Sequence, residues 1–196
     1  MSDDVPVRDA ASLLLLRGQG EATRVLMGMR GAGHRFMPNH LVFPGGAVDA
    51  DDHQAVVARL PRDAVLARLG DNTAARALAH AAARELEEET GLHLGHPPDL
   101  AGFDYLCRAI TPAGRSIRFD ARFLVVDAAA IQGELAGSGE LEDLTWYGVD
   151  EAQALDLSFP TRKVLEQLCA WLDLSETQRL ERRLTPTLRD RAWLQE

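Results

Sequence analysis

The stretch that decides the fold is residues 84–92, R-E-L-E-E-E-T-G-L. On a helix, Glu85, Glu88 and Glu89 stand at i, i+3 and i+4 and share one face, whereas Glu87 points toward solvent. Three carboxylates on one stripe repel each other unless a hard cation lies among them, and such cations prefer oxygen ligands. An acidic run by itself is usually a solvated helix face. The surrounding residues must therefore decide between a metal site and a plain acidic surface.

Composition narrows the class of partner. The chain has 196 residues, a formal net charge of -9 and two cysteines. Proteins that bind long nucleic acids usually concentrate positive charge, so this balance argues against such a partner. The cysteines show no zinc-ligand spacing and fit a reducing compartment, and the apolar run at 13–16 is too short to span a bilayer. We expect one cytoplasmic domain over residues 1–196, acting on a small molecule and not on a membrane.

Periodicity predicts the elements that surround the acidic segment. Two apolar runs at 10–17 and 23–30, joined by Gly18-Gln19-Gly20, predict an N-terminal hairpin. A short strand at 41–43 ends at a predicted Pro44-Gly45-Gly46 turn. A helix is predicted over 73–90, with Asn72 or Thr73 as its N-cap and Gly91 as its stop. The carboxylates then lie in the last two turns of that helix.

The second half of the chain predicts three more strands and a helical C-terminal region. The strands are expected at 100–109, 117–126 and 144–149, with the last of these ending the sheet. An amphipathic helix is expected over 161–172, and Ser175 with Gln178 forms a capping-box pattern that opens a helical extension over 175–196. The last ten residues carry no clear signal and are either docked or loose.

The Gly-Gly turn after a strand, together with the acidic helix, resembles the Nudix hydrolase family. That family's box reads G-x5-E-x7-R-E-U-x-E-E-x-G-U, where U is a bulky aliphatic residue. Its second half is met at all seven specified positions within residues 84–92. The resemblance implies an α+β fold of the α/β/α sandwich type, in which a mixed central sheet lies between helices.

The first half of the box departs from the family pattern. Gly46 takes the opening glycine, but Asp52 stands where the first glutamate belongs, and 31 residues separate it from Arg84 where the pattern has seven. Residues 53–72 are interpreted as an insertion, with two short helix-like stretches around Pro61. A loop insertion of this size has only a modest entropic cost.

The resemblance implies a role for each residue of the box. Glu85, Glu88 and Glu89, with the carbonyl of Gly45, would hold Mg²⁺ or Mn²⁺, and Arg84 would orient a neighbouring glutamate through a bidentate pair. The general base of the family is either a box glutamate, here Glu88, or a glutamate in a loop before the last strand, here Glu140. Clustered carboxylates with a divalent cation neutralise phosphoryl oxygens and generate hydroxide near neutral pH, as hydrolysis of a phosphoanhydride requires.

Residues 26–46 also resemble the signature of the family's coenzyme A diphosphatases, L-L-T-x-R-S-x3-R-x3-G-x3-F-P-G-G. Seven of its eleven specified positions agree, and Arg30 and Arg35 are the two that discriminate. Forked guanidiniums suit the phosphates of coenzyme A. The resemblance therefore implies a substrate-binding segment that contains Arg30, Arg35, Phe43 and Gly46.

Several readings of the function stay open. The leading substrate is coenzyme A or an acyl derivative, the next is ADP-ribose or a dinucleotide, and the third is a nucleoside triphosphate. Outside this class are a regulatory module that has lost catalysis and an isomerase of diphosphate substrates, for which Cys107 would be the candidate cysteine. The apolar N-terminal hairpin and the C-terminal helices leave room for a homodimer.

Overall fold

The structure is a computed structural model that describes residues 5–31, 33 and 37–196. The strands are β1 (Val7–Arg17), β2 (Arg24–Arg30), β3 (Leu41–Val42), β4 (Gly45–Ala47), β5 (Leu92–His93), β6 (Asp104–Ile110), β7 (Arg118–Asp127), β8 (Gln132–Gly133), β9 (Leu141–Gly148), β10 (Pro186–Arg189) and β11 (Ala192–Gln195). The α-helices are α1 (Asp63–Leu69), α2 (Asn72–Thr90), α3 (Val149–Ala154), α4 (Phe159–Leu172) and α5 (Glu176–Leu180). Short 3-10 helices cover Gly20–Ala22, Ala50–His53 and Ala128–Ala130.

One large mixed sheet organises the chain. Its strand order is β11-β10-β6-β7-β1-β2-β3, with β4 also paired to β1 and β9 to β2. The longest pairing is parallel, between β1 and β7, and runs from Val7 opposite Arg118 to Leu16 opposite Asp127. The predicted N-terminal hairpin is present, but β1 and β2 pair only at their adjoining ends. The predicted α+β fold with a mixed central sheet is confirmed.

The run Leu13–Leu16 is buried on both faces of the sheet because β1 is a central strand. Leu13 and Leu15 pack in the core on the side of α1 and α2. Leu14 and Leu16 face the opposite core, which is closed by α3 and α4. Alternation along a single strand therefore supplies both layers of the α/β/α sandwich.

Helix α2 begins one residue earlier than the sequence predicts. Asp71, and not Asn72 or Thr73, is the N-cap, and its carboxylate accepts hydrogen bonds from the backbone N–H groups of Thr73 and Ala74. Aspartate is among the strongest N-cap residues, which explains the shift. The predicted stop is confirmed, because Gly91 adopts the left-handed conformation with φ 71°.

Residues 53–72 contain one α-helix, α1, and not the two helix-like stretches that the sequence predicted. The helix is fixed to the sheet by Arg68, whose Nη2 lies 2.8 Å from Asp104 Oδ1 and whose Nη1 donates to the Tyr105 carbonyl. Ahead of it, Arg59 donates to Asp99 and forms an isolated bridge with it. The inserted segment is thus attached to β6 through Arg68 and to the segment before β6 through Arg59.

The prediction of a helical extension over 175–196 is wrong for its second half. The Ser175–Gln178 capping box is present and opens α5, but β10 and β11 then form a hairpin. Strand β10 pairs in parallel with β6, where Leu188 stands opposite Ala109. The last predicted strand, which is β9, is therefore not the last strand of the sheet. The available edge of β6 decided this outcome, because exposed backbone groups at a sheet edge recruit another strand.

Within the described residues, no helix has the length and apolar character needed to cross a membrane.

Candidate active site

The Gly-rich segment forms strand β4, and not a turn as the sequence predicted. Gly45 and Gly46 stand opposite Ser12 and Ala11 of β1. A Cβ at Gly45 would overlap the backbone and side chain of Ser12, and a Cβ at Gly46 would overlap the carboxylate of Glu85. Two glycines are required here because β4 lies between β1 and the carboxylates of α2.

Glu89 is the most deeply buried acid of the box. Glu89 is only 1% exposed, and its Oε2 accepts a hydrogen bond of 2.8 Å from the backbone N–H of Gly45. The pKa of Glu89 is raised to about 8, because burial and the neighbouring Glu85 carboxylate outweigh the lowering effect of the Gly45 hydrogen bond. Such a group carries its charge at low cost only when a cation is near.

Glu85 lies one helical turn before Glu89 and also faces β4. Its side chain is 12% exposed, and Oε1 accepts from Arg84 Nη1 at 2.8 Å. Burial raises the pKa of Glu85 above its usual range even though the guanidinium of Arg84 opposes the shift. Buried Glu89 and half-buried Glu85 thus share an environment that penalises their negative charge.

Arg84 joins the box to the segment before the insertion. Its Nε and Nη2 bind Asp52 in a bidentate pair with distances of 3.1 and 3.0 Å, and Nη2 also donates to the Ala47 carbonyl. Its Nη1 donates to Glu85 and Glu88. The bidentate pair expected with a neighbouring glutamate is therefore made with Asp52, while Glu85 receives a single hydrogen bond.

Asp52 takes part in the site although 31 residues separate it from Arg84. It is 3% exposed, accepts from the Asp49 backbone N–H in the capping box of the 3-10 helix, and lies 2.6 Å from His80 Nδ1. Burial opposes its ionisation, but hydrogen bonds from Arg84, Asp49 and His80 outweigh burial and hold the pKa of Asp52 below its usual value. The sequence assigned no role to His80; its position on α2, one turn before Arg84, was the available signal.

Glu88 differs from its two neighbours in the box. Its side chain is 57% exposed and makes an i, i+4 ion pair of 3.0 Å with Arg84. Glu85 and Glu89 line the adjacent cavity, but Glu88 does not. Glu87 is exposed, as predicted, and lies 3.4 Å from His96. The structure therefore brings two of the three predicted metal-binding carboxylates to the cavity.

A cavity of about 800 Å³ opens in front of β4 and extends along the sheet. The polar and charged side chains that line it are Ser12, Arg30, His40, Glu85, Glu89, Thr111, Arg115, Ser116, Glu140, Ser158, Thr161 and Arg191. Its apolar lining includes Val42, Phe43, Ala109, Ala121, Phe123, Phe159 and Leu188. This volume suits a small organic ligand such as a nucleotide.

The predicted substrate-binding residues that the structure describes lie in this cavity. Arg30 ends β2, and its Nε is buried with no hydrogen-bond partner among the described residues. Phe43 packs edge-on against Phe123 with ring centroids 6.4 Å apart. Gly46 lines the wall beside Glu85. Arg35 lies outside the described residues.

Glu140 reaches the same cavity from the loop before β9. Its carbonyl accepts from the backbone N–H of Gly31, one residue after Arg30. Its carboxylate contributes, after burial, to raising the pKa values of Glu85 and Glu89. The acid that the sequence proposed as a general base thus lies within electrostatic range of both buried box carboxylates.

The donor set at this end of the cavity fits a hard divalent cation. Glu85 and Glu89 offer carboxylate oxygens in a place where burial disfavours their charge, and a cation would offset that cost. Across residues 5–31, 33 and 37–196, no three histidine, cysteine or acidic side chains converge closely enough to enclose an ion by themselves. That arrangement suits Mg²⁺, which commonly takes one or two carboxylates and completes its shell with water and phosphate oxygens.

Cys107 does not support the isomerase alternative. It is completely buried in β6, and burial raises the pKa of its thiol far above the usual range. A buried neutral thiol is a poor nucleophile, since the thiolate is the reactive form.

Comparison with known proteins agrees with this geometry. A family model for the NUDIX domain matches residues 73–168. A Caenorhabditis elegans relative described as a nudix hydrolase is 41% identical over 85 residues, which are 43% of this chain and 22% of that protein. The chain thus spans about a fifth of the length of that relative.

Solved structures extend the likeness beyond the matched segment. The crystal structure of a NUDIX hydrolase from Alicyclobacillus acidocaldarius has a TM-score of 0.66 and 25% identity, covering 85% of this chain and 92% of that one. A MutT NUDIX hydrolase from Burkholderia pseudomallei shares the fold, with a TM-score of 0.55, 22% identity and coverage of 84% and 99%. Nudix hydrolases generally use divalent metals such as Mg²⁺ or Mn²⁺. Residues 73–168 therefore carry a Nudix domain, and the chain has the Nudix fold.

Proposed function

We propose that this protein is a metal-dependent hydrolase that cleaves the phosphoanhydride bond of a nucleoside diphosphate linked to a second group. The observation that carries the proposal is the pair Glu85 and Glu89. Glu89 is buried and Glu85 is half-buried against the glycine backbone of β4, and both face a cavity large enough for a nucleotide. Buried acids with raised pKa values in a cleft are candidates for a functional site.

Each residue of the box has a distinct task in this proposal. Glu85 and Glu89 would hold the cation, with the Gly45 carbonyl as a further ligand, and exposed Glu88 would contribute through Arg84 or from the rim. When bound, Mg²⁺ or Mn²⁺ neutralises phosphoryl oxygens and lowers the pKa of a coordinated water. Arg84 fixes the Glu85 carboxylate from one side while Asp52 holds the guanidinium from the other. Preorganisation of this kind limits the rearrangement needed when the substrate arrives.

Glu140 is the proposed general base. It lines the cavity with Glu85 and Glu89, yet it lies on a loop and its backbone is tied to the loop after Arg30. A carboxylate in that position can accept a proton from the attacking water, whereas Glu89 is occupied by the Gly45 N–H.

Coenzyme A or an acyl derivative is the proposed substrate. Arg30 supports this choice, because its buried Nε has no partner within the described residues and its side chain faces the cavity. A phosphate oxygen of the substrate would satisfy that donor. ADP-ribose or a dinucleotide is the alternative, because the same donor could serve any diphosphate.

A substrate panel tests the proposal directly. Coenzyme A, acetyl-coenzyme A, ADP-ribose, a dinucleoside polyphosphate and a nucleoside triphosphate would be incubated with Mg²⁺ or Mn²⁺, and the products separated by chromatography. We expect coenzyme A to yield 4'-phosphopantetheine and 3',5'-ADP. Rapid cleavage of ADP-ribose without cleavage of coenzyme A would reject the proposed substrate, and no cleavage of any compound would favour a regulatory module.

The proposed organisation is a single domain over residues 1–196 with an insertion at 53–72. The C-terminal hairpin belongs to the same sheet as the rest of the chain, and the inserted helix α1 packs in the core beside that sheet, which supports one folding unit. Both cysteines are free and carry no metal-binding partner among the described residues, which is compatible with the reducing cytoplasm.

A further inference from the structure

The floor of the cavity is a single row of small side chains that crosses five strands. Ala47 of β4 stands opposite Ala10 of β1, which stands opposite Ala121 of β7. Ala121 then stands opposite Ala109 of β6, and Ala109 opposite Leu188 of β10. All five residues line the cavity, because directly opposed residues present their side chains to the same face of a sheet.

This row gives the cavity a direction and a length. Four strand spacings separate Ala47 from Leu188, and neighbouring strands lie about 4.8 Å apart, so the floor is roughly 19 Å long. The carboxylates Glu85 and Glu89 stand at the β4 end. The hairpin β10–β11, which lies outside the segment matched by the family model, forms the opposite end.

The charge of the lining residues changes sign along the floor. The three acids of the lining, Glu85, Glu89 and Glu140, belong to α2 and to the loop before β9, on the side of β4 and β2. At the other end the hairpin supplies Arg191, and the loop between β6 and β7 supplies Arg115. Within the described residues, neither of these arginines forms an ion pair.

Arg191 is held in a defined position by an aromatic ring. Its guanidinium carbon lies 4.5 Å from the centroid of the Phe159 ring, at the first residue of α4. Stacking fixes the plane of a guanidinium and leaves the N–H donors in that plane free for a ligand. Lys163 lies 5.9 Å from the same ring, but its charge is already paired with Glu166 at 2.7 Å.

The backbone at Arg191 is strained. Asp190 and Arg191 have φ values of 48° and 68° and form the two-residue loop between paired Arg189 and Ala192. A loop of this kind favours Asn-Gly, because both central residues need positive φ. An arginine in the left-handed region costs on the order of 1 kcal/mol, so the hairpin is not optimised for its own stability at this position.

We propose that Arg191, stacked on Phe159, binds a second anionic group of the substrate at the end of the floor opposite the carboxylates. The inference rests on the proposed function and specifies its substrate class. That class is an elongated diphosphate whose far end, beyond an apolar or planar middle section, carries a phosphate or a carboxylate. The apolar floor accepts the middle section, and Arg115, in the loop between β6 and β7, is a further arginine of the lining.

The test compares pairs of probes that differ in one anionic group. Succinyl-coenzyme A and butyryl-coenzyme A differ in a terminal carboxylate, whereas coenzyme A and dephospho-coenzyme A differ in the 3'-phosphate, and NADPH and NADH in the 2'-phosphate. The kcat/KM of each compound would be measured with Mg²⁺ for the native protein, for Arg191→Gln and for Arg76→Gln. Arg76 is an exposed arginine of α2 that does not line the cavity, and it serves as the matched control.

We expect the native protein to prefer the charged member of at least one pair by about tenfold, which corresponds to about 1.4 kcal/mol. Arg191→Gln should reduce that preference at least fivefold through KM and change the uncharged member less than twofold, whereas Arg76→Gln should change neither. The pair that responds identifies the group as a carboxylate or a phosphate. The proposal is overturned if Arg191→Gln leaves the preference unchanged in all three pairs.

Calorimetry separates failure of this proposal from failure of the proposed hydrolysis. The same pairs would be titrated without a divalent cation, so that binding is measured even where no bond is cleaved. A preference for the charged member that disappears in Arg191→Gln supports the anionic subsite although the hydrolase assignment fails. Equal binding of the members of every pair, alongside normal cleavage, overturns the subsite and leaves the hydrolase assignment intact.

Discussion

The two ends of the cavity differ in how their charges are satisfied. At the β4 end, Arg84 bonds to Asp52, Glu85 and Glu88, and Glu89 is held by the backbone of Gly45. At the hairpin end, Arg191 is exposed and its ring partner is apolar. The charged side chains of the first end are joined to one another by hydrogen bonds and ion pairs, whereas Arg191 at the second end has N–H donors available to a ligand above an apolar floor.

This difference separates chemistry from recognition. A reaction centre requires groups whose positions are fixed before the substrate binds, because reorganisation during the reaction is costly. A recognition end gains more from donors that have no partner until the ligand arrives. The β4 end should therefore govern turnover, and the hairpin end should govern which substrate is chosen.

The largest expected effect is that of Glu89→Gln, which keeps the shape of the side chain and removes its charge. We expect kcat to fall by about 10³-fold, or about 4 kcal/mol, because a buried charge at the cation site is lost. The preference between charged and uncharged probes should stay unchanged, since Arg191 is untouched. Steady-state kinetics and a thermal unfolding curve would measure both properties.

Glu87→Gln is the matched control for this variant, since Glu87 is exposed on the same helical turn. It should keep native activity. Near-native turnover in Glu89→Gln would contradict the assignment of Glu89 as a metal ligand.

The next largest effect should come from Asp52→Asn, which tests whether the β4 end depends on a residue from before the insertion. The bidentate pair with Arg84 is buried at the Asp52 side, so we expect the free energy of unfolding to drop by about 3 kcal/mol. Arg84 would then hold Glu85 less firmly, and kcat should fall about tenfold. Denaturant unfolding and kinetics would measure the two effects.

Asp51→Asn controls for the removal of an acid from the same 3-10 helix, because Asp51 is exposed. It should change stability by less than about 0.5 kcal/mol. An Asp52→Asn protein as stable as this control would contradict a structural role for the Asp52–Arg84 pair.

The smallest expected effect is a pH dependence confined to the β4 end. The pKa of Glu89 is about 8 in the native state against 4.5 ordinarily, so the native protein keeps a proton that the unfolded chain loses. Without a divalent cation, the stabilising contribution of Glu89 should be fully present below pH 4.5 and should decline steadily as pH rises from 4.5 to 8. Glu85 acts in the same direction. Asp52, whose pKa is lowered, acts in the opposite direction, because its stabilising contribution is present above its ordinary pKa of 3.8 and is lost as pH falls below it.

Thermal unfolding at several pH values in a chelator would measure this slope. Glu89→Gln should flatten it, and Mg²⁺ should stabilise the native protein most at pH 8. A slope that Glu89→Gln leaves unchanged would place the titrating group elsewhere.

Several parts of the site could be predicted from local sequence. The box residues 84–92 and the stop at Gly91 could be predicted because helical spacing and capping depend on nearby residues. The different exposure of Glu88 and Glu89 could not, since it depends on where β4 packs against α2. The pairing of Asp52 with Arg84 could not be predicted either, because 31 residues separate the two in sequence and they come into contact only in the folded chain.

The C-terminal hairpin shows the same limit. Residues 186–195 show only a weak alternation of apolar and polar side chains. Their strand conformation depends on the free edge of β6 and on the pairing of Leu188 with Ala109. No pattern near Arg191 indicates that it lies at the hairpin end of the cavity, opposite the acidic box.

The sequence alone predicted the α+β architecture through its resemblance to the Nudix family. It also predicted the helix that carries the box carboxylates, because helical spacing and caps can be read along one segment. Tertiary structure decided which acids are buried, and it decided that Arg84 is bonded to acids on several sides whereas Arg191 stacks on an aromatic ring. Those properties depend on the strand pairings that bring β4, the 3-10 helix at Ala50–His53 and the C-terminal hairpin to one cavity. Burial and pairing arise from contacts between distant segments, and such contacts set both the pKa values of the acids and the shape that a substrate must fit.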